Sequence, residues 1–139
     1  MSHQEEALKT YIGLLRTSNQ LEQLAKQDVT CYNLNITEFS VLELLYHKGP
    51  QTTQAIKEKI LIASSSTTYV IDQLVKKKYV TRETNSQDRR VITVKITELG
   101  TERMAEIFPL HAARIDKSFA KLTMEELETL QQLLKRIEE

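Results

Sequence analysis

Between Tyr79 and Ile96 the sequence stops reading like a helix. Tyr79-Val80-Thr81-Arg82 and Val91-Ile92-Thr93-Val94-Lys95-Ile96 are rich in β-branched residues, which suit a pleated, half-buried surface. Val80, Ile92, Val94 and Ile96 are the expected core contacts. The polar stretch Thr84-Asn85-Ser86-Gln87-Asp88-Arg89-Arg90 joins the two runs, so the segment predicts two short strands with a polar tip, a β-hairpin. The flanks carry helical spacing, and three glycines and two prolines leave few places to interrupt it. One hairpin among helices gives a mainly α fold. The length, 139 residues, fits a single domain, read as residues 1–139 without repeat or linker.

The helices follow from apolar spacing and end signals. Residues 5–27 carry Leu8, Tyr11, Ile12, Leu15, Leu21 and Leu24 at mostly helical intervals. A second helix is expected to start with Thr37 as its N-cap and an Ile36–Val41 staple, and to stop at Gly49-Pro50. A short helix follows from Thr52 or Thr53 to Lys59. The next contains Val70, Ile71, Leu74 and Val75, with Ser64-Ser65-Ser66-Thr67-Thr68-Tyr69 crowding its start and Lys76-Lys77-Lys78 forming its last turn. After the hairpin, Phe108, Ala112, Ile115, Phe119 and Leu122 step by 4, 3, 4, 3, the interval of a helix–helix seam, with Pro109 expected to kink that helix. Thr123-Met124-Glu125-Glu126 is a capping box opening the last helix, whose stripe is Leu127, Leu130, Leu134 and Ile137.

Zero formal net charge argues at first against a nucleic-acid partner, but the charge is unevenly spread. Residues 64–97 hold seven basic side chains against three acidic, net +4, while 1–63 is net −1 and 98–139 net −3. A basic patch on one helix and one hairpin is the electrostatic footprint of a DNA reader. Helix, turn, hydroxyl-rich helix and Arg-tipped hairpin together describe a winged helix-turn-helix. In that motif the second helix enters the major groove by its N-terminal residues. Small hydroxyl side chains there bond phosphates or bases without holding the helix off. The candidate DNA-binding residues are Ser64, Ser65, Ser66, Thr68, Tyr69, Gln73, Asp88, Arg89 and Arg90. The arginines suit the negative potential of the neighbouring minor groove.

The residues Leu42-Glu43-Leu44-Leu45 before Gly49, Ser66 to Leu74 followed by Lys76-Lys77, Asp88-Arg89-Arg90, and Leu99-Gly100 after Ile96-Thr97 resemble the MarR family of bacterial transcription regulators over nearly the whole chain. Within the family, Leu44 to Gly49 and Ile107-Phe108-Pro109 resemble the quinone-responsive MhqR-type repressors. The resemblance implies a homodimer with dimerisation helices at both termini, about 1–36 and 98–139, around a winged helix-turn-helix at about 37–97. It implies a near-palindromic double-stranded operator and a wing in which Asp88 orients Arg90 into the minor groove. The chain departs from the family at Lys78, where glycine usually precedes the first strand.

The resemblance also implies release from DNA by a small aromatic, phenolic or quinone-type effector, or by oxidation of a cysteine. The candidate effector residues are Tyr11, Tyr32, Phe39, His47, Phe108 and His111; for Tyr11, Phe39 and Phe108 a purely structural place in the core is the competing reading. Cys31 is the redox candidate, and as a lone cysteine it excludes an internal disulfide or a multi-cysteine zinc site. No metal or cofactor is expected. A phosphate-binding Gly-rich loop, a His-Glu-x-x-His pattern and a nucleophile–His set are all missing, so the chain is not expected to be an enzyme. The alternative is a winged-helix protein-interaction module without an operator. No apolar run approaches the ~18 residues of a membrane span, and Met1 to Glu6 lacks signal-peptide character, so a cytoplasmic protein is expected.

Overall fold

The computed structural model describes residues 1–60 and 66–138. Its elements in order are α1 (His3–Thr30), α2 (Ile36–Lys48), β1 (Gln51–Thr52), α3 (Thr53–Lys59), α4 (Thr67–Lys76), β2 (Val80–Thr84), β3 (Ile92–Ile96), α5 (Glu98–Ser118) and α6 (Met124–Glu138). The fold is mainly helical with a small antiparallel sheet, a winged helix-turn-helix flanked by long helices.

Local chemistry sets most of the boundaries. Ser2 accepts from the Glu5 N–H at 3.1 Å and starts α1 earlier than the apolar pattern does. The expected cap of α2 moves from Thr37 to Asn35. Asn35 Oδ1 accepts from the Glu38 N–H at 2.8 Å, and Glu38 Oε1 accepts from the Asn35 N–H at 2.9 Å. This reciprocal box outcompetes a threonine hydroxyl, so Thr37 lies inside the first turn and the flanking apolar pair becomes Leu34 and Phe39, both buried. Gly49, at φ 81°, ends α2 as read, and Thr52 caps α3 by accepting from Ala55 N–H at 3.0 Å.

Helix α4 ends sooner than its lysine run suggests. Lys77 is the C-cap and Lys78 sits in the left-handed region at φ 67°. The Lys78 N–H donates to Val75 O at 2.9 Å and the Tyr79 N–H to Leu74 O at 3.0 Å, the paired bonds of a Schellman ending. The turn therefore keeps the conformation a glycine would take. The start of this helix as read included Ser64 and Ser65, which lie outside the described residues.

The hairpin forms from β2 and β3 in the register Val80–Ile96 to Thr84–Ile92. A third strand was not foreseen: β1 pairs with β3, giving the order β1-β3-β2. Two residues are too short to show alternation. Beyond it, α5 continues through Pro109, and of the expected seam Phe108, Ile115 and Phe119 are half-buried while Ala112 falls off the packed side. Its buried stripe is Gly100, Met104, Ile107 and His111. Ala112 is exposed, and the helix ends before Phe119, which is its C-cap, so Leu122 lies in the following turn. The polar His111 and the side-chain-free Gly100 hid the true stripe. Gly100 is there for space: a Cβ would fall inside contact distance of the Tyr79 carbonyl and the Ile96 side chain. The α6 capping box forms as read, Thr123 N–H to Glu126 Oε1 at 2.9 Å and Glu126 N–H to Thr123 Oγ1 at 3.1 Å.

The core gathers Phe39, Val41, Leu42 and Leu45 of α2, Ile56 of α3, Val70, Ile71 and Leu74 of α4, and Val80 and Val94 of the sheet. Val29, Met104 and Ile107 extend it towards the long helices. The N-terminal two thirds of α1 and all of α6 contribute no buried residue.

Candidate functional site

Helix α4 turns Val70, Ile71 and Leu74 inward, which leaves Ser66, Thr68 and Tyr69 exposed and Gln73 half-buried. Tyr69 is 58% exposed, unusual for an aromatic side chain with an apolar body. Of the hydroxyl run, Ser66 and Thr68 are thus on the open face. Ser64 and Ser65 fall outside the described residues. Behind the helix, Arg82 of β2 pairs with Asp72 of α4, tying wing to helix. Sequence reasoning missed this link, because nothing in the spacing of 72 and 82 reports a cross-element pair.

The wing tip is built by short polar side chains. Asn85 Oδ1 accepts from the Gln87 and Asp88 N–H groups at 2.8 and 3.2 Å. Asp88 Oδ1 accepts from the Arg90 N–H at 3.0 Å and Nε at 3.1 Å, and Oδ2 accepts from Nη2 at 3.3 Å. Those bonds from the Arg90 side chain, and then its backbone, hold the Asp88 carboxyl below the usual carboxylate range. Arg90 remains 91% exposed along its side chain, so its guanidinium is aimed without being covered. Arg89 is exposed beside it. Exposed cation, exposed helix start and fixed geometry form a surface able to meet a phosphate backbone and a groove.

A second feature lies on the other side of α2. A cavity of about 800 Å³ opens between α1, α2, α5 and α6, with Lys59 and Ile60 at one edge. Its wall is mostly apolar, including Leu14, Leu21, Phe39, Ile115, Phe119 and Leu134. Three of the sequence-nominated residues line it: Phe39, His47 and His111. The other three do not. Tyr11 is exposed on α1, and Phe108 packs edge-on against His47 with ring centroids 4.5 Å apart. Tyr32 packs against the core, where burial and then the nearby Asp28 carboxylate raise its phenol above the ordinary range. Glu43 and Ser40, which sequence reasoning passed over, also face the cavity.

Behind His111 lies a buried carboxylate. Asp28 is 1% exposed, with Oδ2 2.8 Å from His111 Nδ1 and Oδ1 3.3 Å from Arg114 Nε. Cys31, three residues on, is exposed, and its Sγ donates to the Asp28 carbonyl at 2.9 Å. Among the described residues no group of side chains is arranged to hold a metal ion, and no helix is long and apolar enough to cross a membrane.

The MarR family model matches residues 34–92, which run from the α1–α2 turn to β3. Over 133 residues, 96% of this chain and 92% of the relative, the sequence is 44% identical to the HTH-type transcriptional regulator MhqR of Bacillus subtilis. The chain belongs to the MarR family. Like its relatives, this MarR-family protein is a DNA-binding transcriptional regulator and not an enzyme. Its fold is that of a variant of E. coli MarR solved with operator DNA, at TM-score 0.80 and 22% identity over 99% of both chains. It is also that of Bordetella bronchiseptica BpsR, whose DNA binding is regulated by 6-hydroxynicotinic acid, at TM-score 0.80 and 23% identity over 94% of this chain and 99% of that one.

Proposed function

We propose that this MarR-family chain is a homodimeric, cytoplasmic repressor that binds a near-palindromic operator and is released by a small phenolic or quinone-type ligand in the cavity between α1, α2, α5 and α6. The wing carries the DNA reading: Asp88 holds Arg90 exposed at the tip of the basic segment, beside the open start of α4. In this reading Ser64, Ser65, Ser66, Thr68, Tyr69 and Gln73 meet the major groove, and Arg89 and Arg90 the backbone and minor groove. Residues of about 37–97 form the reading lobe, and about 1–36 and 98–139 the dimerising helices.

Dimerisation is supported by the apolar faces that one chain leaves uncovered. Leu8, Tyr11, Ile12 and Leu15 of α1, Leu110 of α5, and Leu133 and Ile137 of α6 are all exposed. A two-fold pair would set the reading helices about one DNA turn (~34 Å) apart.

The ligand is supported by the cavity's apolar wall and its few polar groups, the usual make-up of a small-molecule site. Regulation of BpsR by a hydroxylated aromatic acid is in keeping with it. Thiol modification of the exposed Cys31 is the competing route of release. Selection of bound sequences from a random DNA pool, followed by gel shifts with phenols and quinones, tests the whole reading. Operator binding should weaken steeply with salt as phosphate contacts release counterions. Failure to bind any DNA at low salt would leave a protein-interaction module instead. An inducer response that survives Cys31→Ser assigns release to the cavity, and one that vanishes assigns it to the thiol.

A further inference from the structure

The run Lys76-Lys77-Lys78 at the end of α4 reads as one basic turn, but its three side chains differ in the fold. Lys76 and Lys78 are exposed, whereas Lys77 is half-buried. Its Nζ lies 2.8 Å from Glu38 Oε2 and donates to the Asn33 carbonyl at 3.0 Å. Glu38 is 4% exposed, and its other oxygen, Oε1, accepts from the Asn35 N–H at 2.9 Å. Lys77 therefore answers the second oxygen of a buried carboxylate. Such a carboxylate is strongly destabilising once its cation is removed, so this pair holds far more firmly than an exposed one.

The surface that receives Lys77 is itself fixed. Asn33 lies at φ 60°, a region Asn tolerates, in the turn between α1 and α2. The preceding carbonyl, of Tyr32, accepts from Arg103 Nη2 of α5 at 3.0 Å. Two successive carbonyls of one turn are thus taken by cations from α4 and α5. The start of α4 has no comparable tie, for its N-cap, Ser66, makes no side-chain cap bond. Val70, Ile71 and Leu74 set how deep the helix sits, but apolar contacts are non-directional and fix its tilt less well. With ten residues α4 is about 15 Å long, so a tilt of about 4° at its held end moves its start by about 1 Å. Recognition groups need placing to within about 0.5 Å.

We propose that Lys77 is a positioning residue for DNA reading: with Glu38 and the Asn33 carbonyl it pins the end of α4 to the start of α2, and so sets the angle at which the open start of α4 meets the groove. The inference rests on reading α4 as the helix that enters the major groove. It divides one lysine run between two tasks. Lys77 turns its charge into the protein and orients the helix, while Lys76 and Lys78 face solvent. A direct phosphate contact by Lys77 makes the opposite prediction at Glu38: releasing the lysine from its carboxylate would then help DNA binding and not harm it.

The test uses the full chain, a duplex that it enriches from a random-sequence pool, and a scrambled duplex of the same length. Lys77→Met keeps the stem and removes the ammonium. Glu38→Gln keeps the capping box, which Gln also forms, and removes the charge. Binding is measured at a temperature where melts show each variant fully folded. Each variant should bind the enriched duplex about tenfold more weakly, the scale of one charge-assisted hydrogen bond. Binding to the scrambled duplex and the salt dependence should not change, and the double variant should lose no more than either alone. A Lys77 that touches phosphate would instead weaken both duplexes in Lys77→Met, with a salt slope smaller by about one per lobe, and Glu38→Gln would leave binding intact or strengthen it. A merely structural pair would lower both melts and leave both affinities as they were. Either pattern overturns the proposal. Should Lys77→Met fail to fold, Glu38→Gln decides alone, because pinning and phosphate contact give it opposite signs. Ser66→Ala, Thr68→Ala and Tyr69→Ala combined check the reading beneath the proposal. If that triple variant binds the enriched duplex normally, α4 is not the reader and that reading fails. If it binds weakly while Lys77→Met and Glu38→Gln bind normally, the reading stands and the pinning by Lys77 fails.

Discussion

The reading lobe and the terminal helices are finished to different degrees. In the lobe, α2, α3, α4 and the sheet enclose Leu42, Leu45, Ile56, Ile71, Leu74 and Val94, all essentially inaccessible. In the terminal helices residues 1–20 are exposed throughout, and α6 buries nothing. Both regions carry amphipathic helices, so the difference lies in what covers them. An amphipathic helix owes most of its stability to a packed apolar face. The lobe supplies that cover from its own chain. The terminal helices are left to obtain it from another surface, which is why the second copy matters more to them than to the lobe.

The largest expected effect comes from cutting the open half. Removing residues 123–139 should leave single copies by light scattering. Operator affinity should fall about a hundredfold or more, because two linked reading lobes become one. The lobe should still melt cooperatively. A dimer that survives the cut would put the interface elsewhere and erase the contrast between the two regions.

Gly100→Ala attacks the junction between them. Its new methyl would meet the Tyr79 carbonyl oxygen, which cannot turn aside because it also accepts from the Thr97 N–H at 2.9 Å. A loss of about 3 kcal/mol, typical of a forced overpacking, should appear in denaturant melts. A neutral result would show that the start of α5 can shift freely over the sheet.

Arg90→Ala tests the lobe's function without touching its packing. Operator binding should weaken by about 2 kcal/mol with the melt unchanged. The same variant tests the wing's electrostatics. Arg90 holds the Asp88 carboxyl below its usual range, so their pairing is present at neutral pH and is lost only as pH falls through that depressed value. Followed by NMR, the Asp88 titration should move up to the ordinary range once Arg90 is gone.

Much of the fold was legible in the sequence because local chemistry built it. The change of period at Tyr79, the stop at Gly49, the α6 capping box and the Asp88-Arg89-Arg90 tip all act within a few residues of themselves. What stayed hidden was decided at a distance. Strand β1 exists only through β3, Asp72 finds Arg82 on another element, and Asp28 finds His111 across the molecule. The buried stripe of α5 was obscured for a related reason. His111 is buried because Asp28 satisfies it, and no apolar count includes a histidine. The threonine reading places the cap of α2 two residues too late, because it passes over the Asn35–Glu38 box.

The smallest effect belongs to Lys78, where the lobe itself is not optimal. A non-glycine residue at φ 67° pays about 1 kcal/mol for crowding between its Cβ and backbone. The turn is nonetheless held on both sides. Thr97 donates its hydroxyl to the Lys78 carbonyl at 2.7 Å, and the same hydroxyl oxygen accepts from the Gly100 N–H at 3.0 Å. Two elements therefore impose the left-handed conformation, and the side chain only tolerates it. Lys78→Gly should stabilise the protein by a few tenths to about 1 kcal/mol, the relief of strain being partly offset by the greater freedom of glycine in the unfolded chain. Lys78→Asn, which also tolerates this region, should fall between the two. If both variants bind operator less well while melting higher, the lysine is kept for its charge towards phosphate. If both melt lower, the lysine stem contributes packing that outweighs the strain, and the lobe is closer to its optimum than its backbone suggests.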